Sequence, residues 1–161
     1  MNLISESDGA YAMTVGTVCN RDVVFIHRGG SIPEAARLMR EYHVGDLIVV
    51  DEKTGKRVPV GIVTDRDIVL EVIAEGVSPN DVSVGDIMSP ELVTARAGDD
   101  LLETIKIMRA KGVRRLPVID DDNELAGILS VDDLIDLFSE QIADLARLIA
   151  REQTRERDSR K

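Results

Sequence analysis

Apolar positions along the chain alternate between two periods. Val23–Ile26, Leu47–Val50 and Val58–Val63 are short apolar runs bounded by polar or glycine-containing segments, which predicts buried strands. Between the first two, Ile32, Ala35, Ala36, Met39 and His43 share one face at helical spacing. Gly29-Gly30 breaks the strand and Ser31 supplies a helix N-cap. Pro33 sits in the first turn and Glu34 completes a capping box. Asp51–Arg57 predicts a hairpin turn, and Ile68, Val69, Val72 and Ile73 predict a second helix that Gly76 and Pro79 end.

The same order is then written again. Leu92–Ala95 predicts a strand. Asp100 with Glu103 caps a helix whose buried face is Leu101, Ile105 and Met108. Leu116–Ile119 and Leu125–Leu129 are strands joined by a tight acidic turn, Asp120–Glu124, and a helix starts near Ser130. A shift of 69 residues superposes Val15-Gly16 on Val84-Gly85, Met39-Arg40 on Met108-Arg109 and Asp51 on Asp120. Beyond the longer loop Glu52–Arg57 the shift becomes 66, so Gly61-Ile62-Val63-Thr64-Asp65-Arg66-Asp67 meets Gly127-Ile128-Leu129-Ser130-Val131-Asp132-Asp133. A period of roughly sixty residues in two copies is too long for a thin solenoid. The expected fold is α+β, two tandem β-α-β-β-α units over 14–78 and 79–142, preceded by a loose polar leader, 1–13.

The last helix does not stop where its counterpart does. Phe138, Ile142, Leu145 and Ile149 continue an apolar stripe, and after Ala150 the chain is charged throughout, so residues 143–161 form a helical extension with a charged tail. Such a stripe suits helix packing between two subunits or folding back on its own domain.

Composition narrows the partners. With 43% hydrophobic residues but no Trp, two Phe and two Tyr, the core is aliphatic. A net charge of −10 argues against non-specific binding to nucleic acid and to anionic membranes. Cys19 is the only cysteine, so no intrachain disulfide forms, and no apolar run reaches the length of a membrane span. Met1–Ala12 carries Glu6 and Asp8 without a signal-peptide pattern, which predicts a cytoplasmic protein.

Two motifs offer chemistry. Thr64 with Asp67, and Ser130 with Asp133, have the spacing of a capping box, which is their simplest use. The same geometry suits a ligand. Hydroxyl and free N–H groups at a helix start fit a phosphate, and the carboxylate fits a ribose diol. Ile62 or Ile128 would wall a base. Arg114-Arg115, at a strand entrance, point to different sides and could serve two ligand positions or merely balance the acidic surface; Arg66 is a weaker candidate. His27, His43 and Cys19 match no metal spacing, and Asp120–Glu124 lacks the loop of a calcium hand. No P-loop, nucleophile elbow or dinucleotide fingerprint is present and no hydroxyl has a His in its motif, so no enzyme is expected.

The ordered double occurrence of Met-Arg-x-x-x-Val, with Leu116-Pro117-Val118-Ile119-Asp120 and the two Gly-Ile-(Val/Leu)-(Thr/Ser) segments, resembles a pair of CBS domains, a Bateman module, over about residues 14–142. The resemblance implies two units packed by pseudo-twofold symmetry with two clefts that bind AMP, ADP or ATP, and in some members NAD or S-adenosylmethionine. No other cofactor is required. It implies one cleft built from Ile62, Thr64, Asp67 and Asp86 with Val113, Arg114 and Pro117. The other would use Thr17, Val44, Gly45, Ile128, Ser130 and Asp133, with Arg115 reaching its phosphates. Where the second unit has Arg114-Arg115 and Pro117, the first has Gly45-Asp46 and Ile48, so the clefts should differ in affinity. A stand-alone pair of this kind implies a homodimer that regulates a protein partner in trans. The alternative is a ligand-free interaction scaffold.

Overall fold

Strand pairing follows the apolar runs. The computed structural model describes residues 13–159, so the leader expected over 1–13 lies, Met13 apart, outside the described residues. The first unit comprises α1 (Val15–Val18), β1 (Phe25–His27), α2 (Ile32–Tyr42), β2 (Asp46–Lys53), β3 (Lys56–Thr64) and α3 (Asp65–Asp67), which runs directly into a π-helical stretch, Ile68–Ile73. The second comprises α4 (Val84–Ile87), β4 (Ala95–Arg96), α5 (Leu101–Lys111), β5 (Arg115–Ile119), β6 (Leu125–Ser130) and α6 (Val131–Ser159). The result is the expected α+β pair of like units: two three-stranded sheets, β1-β2-β3 and β4-β5-β6, each with one parallel and one antiparallel ladder. Even the β-bulges correspond, at Val49/Val50 and Val118/Ile119.

The two units exchange their opening segments across an approximate twofold axis. Val15 N and Gly16 N donate to Asp99 O and Ala97 O at 2.9 and 2.8 Å, and the equivalent Val84 N and Gly85 N donate to Gly30 O and Arg28 O at 2.8 Å. Val15 is therefore buried with Leu101, Met108, Leu116 and Leu129 of the second unit. Val84 is buried with Ile26, Ile32, Met39, Leu47 and Val63 of the first. A third cluster, where Ile48, Val50 and Ile62 of one sheet meet Leu125 and Ile128 of the other, joins the halves. These contacts account for the repeated Gly-Ile. Ile62 pairs with Ser89, and Ile128 with Asn20, through reciprocal backbone bonds of 2.8 to 3.4 Å. The incoming segment passes directly over the glycine. A Cβ on Gly61 would stand 2.6 Å from Met88 Sδ and 2.9 Å from Ser89 O, and one on Gly127 would stand 2.7 Å from Cys19 Sγ and 2.9 Å from Asn20 O.

Several boundaries move. β1 begins at Phe25, not Val23, and β4 is Ala95–Arg96, not Leu92–Ala95, because the parallel ladders are short: Phe25, Ile26 and His27 pair with Ile48, Val49 and Val50, and Ala95 and Arg96 pair with Val118 and Ile119 at the end of β5. The expected hairpin turn Asp51–Arg57 shrinks to Thr54-Gly55, both at positive φ, since Glu52 and Lys53 pair on with Arg57 and Lys56 past the core. Ala36 and His43 are exposed rather than on the buried face: Ile32, Ala35 and Met39 carry α2, and His43 ends it in the left-handed region at φ 55°. Helices α1 and α4 were not anticipated, because one turn of helix has no periodicity to read. α6 continues through the charged tail to Ser159, there being neither Gly nor Pro after Gly127 to stop it. It does not fold back: Ile142, Leu145 and Leu148 are 67%, 63% and 62% exposed.

Gly127→Ala should destabilise the chain by about 1–3 kcal/mol, the usual cost of forcing atoms into a packed site, because the obstruction includes backbone. Gly29→Ala, with nothing within 4 Å, should stay within about 0.5 kcal/mol of the parent. Urea unfolding of the two variants checks this; equal stabilities would remove the packing explanation of the repeated glycine.

Candidate functional site

The strand-to-helix junctions sit beside the contact between the sheets. At the first, Thr64 N and Oγ1 both donate to Asp67 Oδ2 at 2.8 Å, and Asp67 N donates to Thr64 Oγ1 at 3.1 Å. At the second, Ser130 N and Oγ both donate to Asp133 Oδ2, and Asp133 N donates back to Ser130 Oγ at 3.1 Å. Both motifs are thus reciprocal capping boxes. The cap uses one carboxylate oxygen of each Asp; Oδ1 of Asp67 and of Asp133 has no hydrogen bond among the described residues. Capping and ligand binding are therefore compatible uses of one side chain.

Two cavities open at these caps. The first, about 230 Å3, is lined by Val44, Gly45, Ile128, Ser130, Asp133 and Arg115. Asn20, Asp22, Val23, Val24, His43, Asp46 and Ile48 complete it. The second, about 210 Å3, is lined by Asp46, Ile62, Thr64, Val113, Arg114 and Arg115. Each therefore joins the cap of one unit to the start of the middle strand of the other. Asp67 stands behind Thr64 at the second cavity without lining it.

Other residues named from the sequence lie elsewhere. Thr17 is exposed on α1, where its hydroxyl donates to Thr14 O at 2.7 Å. Asp86 caps α4: Ser83 N and Oγ donate to its Oδ2 at 2.8 and 2.7 Å, and these bonds hold its carboxyl below the usual range. Both were implied by the family resemblance alone, and both lie on the helical turns α1 and α4 rather than on the wall of either cavity. Arg66 is exposed and lines neither cavity. Pro117 is buried in β5 opposite Ile128, since its side of the pleat faces the other sheet.

The sequence reading missed Asn20, Asp22 and Asp46. Asn20 and Asp22 follow the exchanged helix, so only the crossing brings them to the Ser130 cleft. Asp46 was legible only as the position that aligns with Arg115. It is 8% exposed, its Oδ1 lies 3.0 Å from Arg115 Nη1, and Arg115 Nη2 lies 3.8 Å from Asp132 Oδ2. Burial pushes the Asp46 carboxyl up; Arg115 opposes this and Asp65 adds to it. Arg114 Nη2 lies 3.8 Å from Asp132 Oδ1 with both side chains exposed, so that pair adds little.

Two like units that cross-supply each other's clefts define a tandem module with two cavities at a pseudo-twofold interface. The chain belongs to the CBS domain family, whose model matches residues 15–74 and again 84–140. An uncharacterised protein of Methanopyrus kandleri is 37% identical over 124 residues, 77% of this chain and 62% of that protein, so this chain spans less than two thirds of it. The solved CBS domain pair in complex with 5′-methylthioadenosine and S-adenosyl-L-methionine has a TM-score of 0.68 at 27% identity, over 81% of this chain and 98% of the other. The cytosolic domain of the Mg2+ channel MgtE in complex with ATP has a TM-score of 0.65 at 27% identity, over 77% of this chain and 48% of the other. Among the described residues no helix is long and apolar enough to cross a membrane.

Because the folded-state pKa of Asp46 is raised, its ionisation costs stability as pH rises through that value, and Arg115 offsets part of the cost. Arg115→Met should therefore lose about 1–2 kcal/mol at pH 7, low in the range for stranding a buried charged group because water reaches much of the guanidinium. The loss should shrink as pH falls, because a carboxyl whose pKa is raised takes up its proton early and leaves Arg115 less charge to offset. Urea titrations at pH 7 and pH 4 test this; a deficit that is the same at both would show that Arg115 does not act through the Asp46 charge.

Proposed function

We propose that the chain is a regulatory module that binds an adenosine-containing ligand in the two clefts and acts on a protein partner in trans. The observation that carries this reading is the capped junction at each cleft, with Asp133 on the wall of one cavity and Asp67 behind Thr64 at the other, each keeping Oδ1 free of the cap beside an isoleucine and, on the cavity's far side, arginine. A ribose diol would donate to that oxygen, the base would lie along Ile62 or Ile128, and the phosphates would extend towards Arg114 and Arg115. The cavities fall just below the roughly 300–1,000 Å3 usual for small-molecule sites, which suits a nucleoside seated with its phosphates in the open mouth. The arginines favour a phosphate-bearing ligand over S-adenosylmethionine, and the small cavities favour AMP, ADP or ATP over the larger NAD. Similar folds holding ATP, or 5′-methylthioadenosine with S-adenosyl-L-methionine, support the adenosine part.

The exposed stripe on α6 favours a homodimer, with the helix as its seam. A ligand-free scaffold built on that seam is the second reading. The two separate cleanly in solution. AMP or ATP at about a hundred times its Kd should stabilise the fold by about 2.7 kcal/mol and raise Tm by about 5–10 °C. The Asp67→Ala/Asp133→Ala pair should abolish that rise, judged against the variant's own lower starting Tm. Deleting residues 139–161 should convert dimer to monomer in analytical ultracentrifugation. If no nucleotide moves Tm while the deletion still dissolves the dimer, the scaffold reading replaces the sensor.

A further inference from the structure

The two clefts meet at one side chain. Arg115 and Asp46 line both cavities and lie 3.0 Å apart, the carboxylate 8% and the guanidinium 41% exposed. The two residues also correspond to each other under the 69-residue repeat, so the pair straddles the pseudo-twofold axis and forms the partition between the clefts. A symmetric partition would hold two like residues. Here a single guanidinium faces two cavities, and its partner on the axis is an anion. The surroundings differ as well: the Ile62 cleft adds Arg114, whereas the Ser130 cleft adds Asp22 and Asp133.

We infer that Arg115 is a specificity-determining residue shared between the two sites. A ligand carrying a phosphate fills the Ile62–Arg114 cleft first and thereby weakens the Ser130–Asp133 cleft, whereas an uncharged nucleoside fills both independently. The inference rests on the nucleotide reading above. Its physical basis is that this one planar cation already lies 3.0 Å from Asp46 and 3.8 Å from Asp132, so its single charge is shared and a phosphate that engages it from one cleft leaves less attraction for a phosphate in the other. A second phosphate meets a cation already neutralised and the like charge of the first. The partition is backed by the apolar contact of Ile48, Ile62 and Ile128, which lowers the local dielectric and strengthens both effects. The coupling is reciprocal, because each ligand acts through the same group.

Calorimetric titration of the full chain with AMP and with adenosine tests it. Asp67→Asn disables the Ile62 cleft and isolates the Ser130 cleft. AMP should bind that isolated cleft about tenfold more tightly than it binds as the second ligand of the parent chain. For adenosine the two affinities should agree within about twofold. The gap for AMP should close in Asp46→Asn/Arg115→Gln, a double variant that leaves no buried charge unpaired. A parent chain with no gap for AMP, or a gap that survives in the double variant, overturns the inference while leaving nucleotide binding intact. Failure of both AMP and adenosine to bind overturns the nucleotide reading and this inference with it.

Discussion

The structure depends on a crossing of backbones. Each unit ends its sheet with a strand whose Gly-Ile accepts the chain leaving the other unit's first helix, and that chain runs within bonding distance of the strand itself. Only a residue without a side chain fits under the crossing, as the distances at Gly61 and Gly127 show. Because each core is completed by a helix from the other half, neither sheet can be filled alone. The apolar faces of the two sheets are held together as a consequence, and the gaps flanking that contact become the clefts.

The caps beside those gaps resolve a conflict between two uses of one motif. A hydroxyl and a carboxylate three residues apart satisfy orphan N–H groups at a helix start, and here they do so reciprocally. A carboxylate has more acceptor capacity than one cap consumes. The cap fixes the rotamer and leaves the second oxygen unbonded among the described residues, at Asp133 on the cavity wall and at Asp67 behind Thr64. The same bonds that stabilise the helix start also hold the acid in one orientation, and no separate side chain is needed to do so.

Symmetry then breaks where charge is concentrated. The backbone repeats down to its bulges, but Asp46 faces Arg115 across the axis and Arg114 has only Gly45 as its counterpart. Electrostatics thus distinguish two cavities of nearly equal size. α6 departs from the repeat in another way: its inward face is covered as far as Phe138, and beyond that the same stripe runs out past the domain into solvent. A helix of 29 residues spans roughly 44 Å, well past the edge of a unit this small.

Much of this was legible in the residues. Two periodicities and a pair of glycine-led segments determined the α+β class, the tandem order, the caps on α2 and α5 and the reciprocal boxes at Thr64 and Ser130, because these depend on neighbours within a few positions. Val44, Gly45, Ile62, Val113, Arg114, Arg115, Ile128 and Ser130 line the clefts because each lies at an end of a strand that the pattern marks. Other features depended on the tertiary structure. The exchange of α1 and α4 placed Asn20 and Asp22 in a cleft and left Thr17 and Asp86 outside. The pleat turned Pro117 inward, and the axis brought Asp46 against Arg115. Local chemistry is written in a sequence because helices and strands are short-range. Which segment crosses to which sheet is set by the burial of both halves at once, and a one-dimensional pattern carries no distances between them.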